Sequence, residues 1–268
     1  MKKRTALVII IAALCLIFIP SCKRIPDTGI TKSTTEAATT ATLGPCAGGH
    51  SYVDGFCTEC GKEFSSEGLE YKLSEDETYY IVSGRGSCND KAIAVPSVYD
   101  QKPVREIGKA AFKSDLYMYS VILPDSVTVI GDEAFSECQS LYSVTLPNRL
   151  TKLGTGAFNG CTAMRSIDIP KGITRIEDST FKHCSMLKSV VIPDSVTEIG
   201  ASAFSYCYGL SDFTLPEGLE RIEKSAFEKC KFEKLDIPKS LKYVAKDAFS
   251  SCNITTVNIS SFPDWCSI

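Results

Sequence analysis

The chain has 268 residues, 44% of them apolar and 23% charged, a globular composition rather than that of a disordered or collagen-like chain. Twenty-nine Lys and Arg against 32 Asp and Glu leave a formal charge of −3, and no basic block follows Lys2-Lys3-Arg4, which argues against nucleic acid as a partner. Two histidines leave little material for a histidine-based catalytic centre, whereas 13 cysteines call for an explanation that their spacing largely supplies.

The chain opens with Lys2, Lys3 and Arg4, followed by an apolar run from Ala6 to Ile19. The run is shorter than the roughly 20 residues of a membrane-spanning helix and reads as a secretory signal. Ile19-Pro20-Ser21-Cys22 follows, and it resembles a bacterial lipobox. The expectation is a signal peptide over 1–21, cleavage before Cys22 and lipidation of Cys22, which anchors the chain to the outer face of the cell membrane. The competing reading is an uncleaved anchor. Residues 22–45 are rich in Thr, Ser and Ala, contain almost no large apolar side chain and cannot bury a core, so they read as a flexible tether.

Residues 46–61 carry four ligand-type side chains, Cys46, His50, Cys57 and Cys60, spaced C-x3-H-x6-C-x2-C. Two thiolates three residues apart with Gly61 behind them can wrap one tetrahedral ion. The segment resembles small zinc knuckles that precede repeat domains in secreted bacterial proteins. Four protein ligands would close the site, which makes a structural zinc the expected cofactor. The rival is a disulfide, Cys57–Cys60 or Cys46–Cys57, because an exported chain meets oxidants.

Beyond residue 95 the sequence repeats. Prolines stand at 96, 124, 147, 170, 193, 216 and 238, and phenylalanines keep step at 112, 135, 158, 181, 204, 227 and 249. Ala precedes each phenylalanine except Phe181, which follows Thr180. A cysteine comes three residues after six of them, at 138, 161, 184, 207, 230 and 252. Within one unit, Leu141-x-x-Val144-x-Leu146 places apolar side chains on one side of a short strand, and Pro147 ends it. Val127 and Ile130 turn inward on the next segment, Gly131 permits a bend, and Ala134-Phe135 starts a short helical or 3₁₀ turn. One unit cannot bury its apolar side alone, but a stack of them can. The cysteines read as buried, reduced packing residues, with disulfides between adjacent layers as the rival. His183 falls at a position that varies from unit to unit and reads as exposed.

This pattern resembles the BspA-type leucine-rich repeats of bacterial and protist surface proteins, over about residues 69–268. The resemblance implies a leucine-rich-repeat solenoid, mostly β with one parallel strand per repeat. Its parts are a β-rich N-terminal cap over 69–95, seven units of about 23 residues over 96–259, and a C-terminal tail over 260–268 similar to a further, truncated segment.

In a parallel sheet of this kind the outward residues follow from alternation. They begin Tyr119, Ser120 and Ile122, and continue Tyr142, Ser143 and Thr145, then Arg165, Ser166 and Asp168, then Lys188, Ser189 and Val191. Tyr and Arg are favoured at binding hot spots, so Tyr119, Tyr142, Arg165, Asp168 and Lys188 form the candidate ligand face. There is no Ser–His–acid set, no phosphate loop and no paired carboxylates in a distinctive setting. The expected function is therefore non-enzymatic: a lipid-anchored surface protein that presents its repeats to an extracellular protein or glycan. Adhesion enters only through the resemblance. The alternatives are an envelope accessory module without a host ligand and, more remotely, a glycan-acting enzyme. The ligand and the oligomeric state are left open by the sequence.

Overall fold

The computed structural model describes residues 65–211 and 213–259, together with the backbone of two short paired strands, Tyr52–Val53 and Phe56–Cys57. The repeat dictates the architecture. Six units contribute a strand to one face, Ser120–Ile122, Ser143–Thr145, Ser166–Asp168 and Ser189–Val191, and then Lys234–Ile237 and Thr256–Ile259, and the unit between the fourth and fifth of these contributes none among the described residues. Pairing on this face is parallel, with residues one repeat apart in register, such as Val121 with Val144 and Ile167 with Val190. A second face carries shorter parallel strands, including Val129–Ile130, Lys152–Leu153, Arg175–Ile176, Glu198–Ile199, Arg221–Ile222 and Tyr243–Val244. A leucine-rich-repeat solenoid is what results.

The stack begins before the first regular repeat. Tyr80–Gly84 runs parallel to Lys102–Ile107, and Ala92–Ala94 runs parallel to Ser120–Ile122, so these strands lie on the coils that follow. Glu70–Leu73 pairs antiparallel with Tyr80–Gly84 at the outside. The 28-residue interval from Pro96 to Pro124, five longer than the next, holds an inserted hairpin in which Val98–Tyr99 pairs with Lys102 and Pro103. Asp100 and Gln101 make its two-residue turn with φ of 42° and 64°, the left-handed pair that suits a tight hairpin.

The core is a column. Phe112, Phe135, Phe158, Phe181, Phe204 and Phe227 are each no more than 2% exposed. Their rings stack nearly parallel, with centroids 5.2–5.7 Å apart from one coil to the next. Ala134, Ala157, Ala203 and Ala226 are fully buried beside them. Thr180 is equally buried because its hydroxyl donates to the Glu177 carbonyl at 2.7 Å. On the first face the strands from Ser120–Ile122 to Ser189–Val191, and Lys234–Ile237, run into a proline whose carbonyl accepts from the amide three residues on, as Pro124 does from Val127 at 3.0 Å. That turn sends Val127 and Ile130, both fully buried, back into the core.

Two local expectations are corrected. Among the described residues there is no helix, and the segment around Ala134-Phe135 is a run of turns rather than a helical or 3₁₀ turn. Its amides alternate. Ala134, Ser136 and Cys138 donate within the coil, to Gly131, Glu133 and Phe135. Glu133, Phe135 and Glu137 donate to the next coil, to Thr155, Ala157 and Asn159 at 2.9, 2.8 and 2.6 Å. Left-handed Glu133 (φ 55°) and Glu137 (φ 60°) make this alternation possible and stop a right-handed helix from forming. Gly131, in turn, serves close approach rather than a bend. A Cβ there would lie 2.7 Å from the Lys109 amide nitrogen of the coil beneath, and its φ is not left-handed.

The cysteines form a second column beside the rings. Each thiol donates to the carbonyl of the phenylalanine in the preceding coil: Cys138 to Phe112 at 3.0 Å, Cys161 to Phe135 at 3.1 Å, Cys184 to Phe158 at 3.2 Å, Cys207 to Phe181 at 3.1 Å and Cys230 to Phe204 at 3.2 Å. All five are free and buried. Cys252, at the last described coil, is only half-buried and donates to Phe227 at 2.9 Å. Burial pushes the thiols of Cys138 and Cys184 up to about 12, and those of Cys161 and Cys207 well up.

Candidate ligand-binding face

The strands of the first face bury every second side chain and expose the others, so outward residues line up across successive coils. One outward column reads Tyr119, Tyr142, Arg165, Lys188, and all four are exposed. Backbone bonds hold the column in step: the Tyr142 amide donates to the Tyr119 carbonyl at 2.8 Å and the Lys188 amide to the Arg165 carbonyl at 2.8 Å. The Arg165 guanidinium carbon lies 5.2 Å from the centre of the Tyr142 ring, a cation–π contact between neighbouring coils. Beside this column runs a row of serines, with Ser120 opposite Ser143 and Ser166 opposite Ser189. Asp168 is exposed beyond that row, in the column of Thr145 and Val191. All five predicted face residues thus share one surface.

The electrostatics of the face change along the stack. Among the described residues, Arg165 and Lys188 have no carboxylate partner, whereas Arg85 and Arg221 each pair with one and Arg175 with three. At the other end, Asp236 accepts from Asn258 at 2.6 Å and from Lys234 at 2.9 Å, and these bonds hold its carboxyl below the usual range. The column itself passes through Ser211 to exposed Glu233. Among the described residues of this column, the cations without a carboxylate partner are thus Arg165 and Lys188, on the N-terminal side of Glu233.

Sequence comparison agrees with this architecture. The profile of the BspA type leucine rich repeat region matches residues 105–231 and 197–265 in six copies, more than half of the chain. The chain belongs to the BspA-type leucine-rich repeat family. Among solved structures, a leucine-rich cell surface protein from Faecalibacterium prausnitzii is 32% identical, with a TM-score of 0.66 over 74% of this chain and 54% of its own. A leucine-rich repeat protein of T. pallidum is 29% identical, with a TM-score of 0.59 over 75% of this chain and 88% of its own. One from Bacteroides ovatus is 28% identical, with a TM-score of 0.66 over 73% of this chain and 53% of its own. The chain spans about half the length of the first and third of these. Among curated proteins none matches it significantly. Membership makes the chain a repeat scaffold of a bacterial surface-protein family.

For this BspA-type chain, other predicted sites lie elsewhere. Cys22, Cys46, His50 and Cys60, the signal segment, the tether and the tail lie outside the described residues. Cys57 is described only through its backbone, where the strand Phe56–Cys57 pairs antiparallel with Tyr52–Val53 and sets Cys57 opposite Tyr52. Among the described residues no group of three or more His, Cys, Asp or Glu side chains could hold a metal.

The sequence reading missed two features. Leu116 and Tyr117, 52% and 74% exposed, lie in the bend that leads to Tyr119 and the first strand of the face. They belong to the first regular coil, which has no cysteine after its phenylalanine to anchor the alignment. His183 is exposed, as expected, but it is not isolated. Its ring stacks on Tyr206 with centroids 4.6 Å apart, and Lys229 lies 4.5 Å from the centre of the Tyr206 ring. These three residues share the left-handed position just before the cysteine, with φ of 61°, 65° and 62°. Gly160 in the same column was the available signal.

Proposed function

We propose that this protein is a non-enzymatic, lipid-anchored binding protein of the bacterial surface whose strand face engages an extracellular protein or glycan, as an adhesion module would. The observation that carries the reading is the exposed column Tyr119, Tyr142, Arg165, in which Arg165 lies over Tyr142 and has no carboxylate partner among the described residues. Exposed Tyr and Arg on a rigid, pre-ordered sheet supply contact area at little entropic cost, and residues of this type dominate binding interfaces. The experiment is capture of extracellular host or matrix material by the purified protein. The Tyr142→Ala, Arg165→Ala double variant should lose the captured partner while its thermal unfolding stays unchanged. Undiminished capture by that variant overturns the reading.

Two supporting features belong to the same proposal. Lipidation at Cys22 would set the repeats outside the cell, and a Cys22→Ala variant should take up no labelled fatty acid. Cys46, His50, Cys57 and Cys60 form a donor set suited to one structural zinc, with thiolates and imidazole in four places. Metal analysis should find one zinc per chain, lost on Cys60→Ser. A chain without zinc and with fewer free thiols would be disulfide-bonded instead.

A further inference from the structure

We infer that the segment recognised by the strand face is a short acidic stretch of polypeptide with aromatic or aliphatic residues on one side of it. This rests on the binding role proposed above and names the chemistry of the partner. Arg165 and Lys188 occupy equivalent positions on adjacent coils, about 4.8 Å apart in a parallel sheet. Both are exposed, and neither has a carboxylate partner among the described residues. Arg175, by contrast, is held by Glu177, Asp178 and Glu198, and Arg221 by Glu223. The guanidinium of Arg165 is placed by its stacking on Tyr142, which leaves its planar fork of donors to meet a carboxylate. The serines beside it are small enough to leave both cations open from the side and add hydroxyls in register.

The same column limits the length and kind of ligand. Toward the N-terminus it becomes Tyr142 and Tyr119, with Leu116 and Tyr117 exposed nearby, a surface for apolar side chains. Toward the C-terminus it becomes Ser211 and then Glu233, which with exposed Asp168 at the far end of the Arg165 strand repels a long polyanion and confines an acidic ligand to the Arg165–Lys188 end of those strands. Two cations suit two or three carboxylates and not the repeated charges of a sulfated glycan or a nucleic acid, which need a longer cationic stripe. A polypeptide crossing the strands, with its apolar residues over the tyrosines and its carboxylates over Arg165 and Lys188, satisfies both ends of the column.

The test uses the full chain and fluorescence anisotropy with a labelled peptide of two aromatic residues followed by a run of glutamates. Its glutamine counterpart, its lysine counterpart and a sulfated oligosaccharide serve as comparison probes. The glutamate peptide should bind about tenfold more tightly than the glutamine peptide and weaken steeply with salt. Arg165→Gln with Lys188→Gln should abolish that preference, and Glu233→Gln should leave it intact. Equal binding of glutamate and glutamine peptides, or preference for the oligosaccharide, overturns the inference. So does partner capture that is lost in Tyr142→Ala but retained in Arg165→Gln, Lys188→Gln, a result that leaves the binding role of the face standing.

Discussion

The carboxylate of Asp115 occupies, in the first regular coil, the place that a thiol occupies in every later coil, and Arg85 pairs with it from the coil beneath. The backbone correspondence is direct: the Asp115 amide donates to the Phe112 carbonyl as the Cys138 amide donates to that of Phe135. Asp115 Oδ1 also accepts from the amides of Tyr117 and Met118 at 3.0 and 3.1 Å. Arg85 in turn donates to the carbonyls of Cys88 and Asp90. One ion pair therefore joins the irregular start of the stack to its regular part, and it fixes the loop that leads into the ligand face at Tyr119.

Arg85→Met should consequently be costly. Asp115 is 6% exposed and Arg85 22%, so removing the cation leaves a nearly buried carboxylate without its partner, at about 3 kcal/mol. Asp115→Cys in the Arg85→Met background should recover much of the loss, because it removes the stranded charge and restores the residue type of the column. Urea unfolding of the two variants decides the point. A double variant no more stable than Arg85→Met would show that the charge is not the source of the cost.

The aromatic column makes an internal comparison possible. Phe158 is fully buried and stacked on both sides, by Phe135 and Phe181. Phe249, stacked on Phe227, is only partly buried in the last described coils. Phe158→Ala should cost about 3–5 kcal/mol by opening a cavity between coils, and Phe249→Ala clearly less. Equal losses in denaturant midpoint would contradict a column that weakens toward that end.

Much of this fold was legible because the period is strict. Phenylalanines 23 residues apart can only superpose in a stack of equal coils, and the outward residues Tyr142 and Arg165 then fall on adjacent strands, where their contact follows from spacing alone. What the sequence hid was backbone conformation. Glu137, Gly160, His183, Tyr206 and Lys229 share a left-handed position, and only Gly160 among them has a reason to be there that sequence can express. The turn segment looked helical because alanine and phenylalanine recur in it, yet its amides gain more by alternating between their own coil and the next. Tyr117 was hidden for a different reason. It lies in a coil whose buried thiol is replaced by Asp115, so the repeat pattern is weakest where the exposed surface is richest.

The thiol column predicts a graded chemical reactivity. Cys161, Cys184 and Cys207 are fully buried, and burial keeps them protonated, while the thiolate is the form that reacts with alkylating reagents. Cys252 is half-buried, and its thiol is raised mainly by desolvation. Brief treatment of the native protein with a maleimide, followed by peptide mass mapping, should label Cys252 ahead of the other ladder cysteines. Cys161, Cys184 and Cys207 should label only after denaturation. Early labelling of Cys184 would mean that the coils separate readily.

The same burial makes stability depend on alkaline pH, and the sign follows from which state holds its protons. In the unfolded chain the thiols ionise near 9, whereas in the folded chain burial holds Cys138 and Cys184 at about 12. Above pH 9 the unfolded state therefore binds fewer protons than the folded one, and stability falls as pH rises. The stabilising effect is fully present below about 9 and is lost progressively toward 12. Each thiol contributes a slope on the order of 1 kcal/mol per pH unit, and several share the column. The urea midpoint should be flat between neutral pH and about 8.5 on this account and then drop steeply. Cys184→Ala lowers stability at neutral pH by removing buried contacts, but it should make the alkaline drop shallower, since one ionising group is gone. A slope identical to that of the parent protein would locate the alkaline instability in other groups, the tyrosines first among them. Tyr71, which burial raises to about 12, would then be the residue to replace.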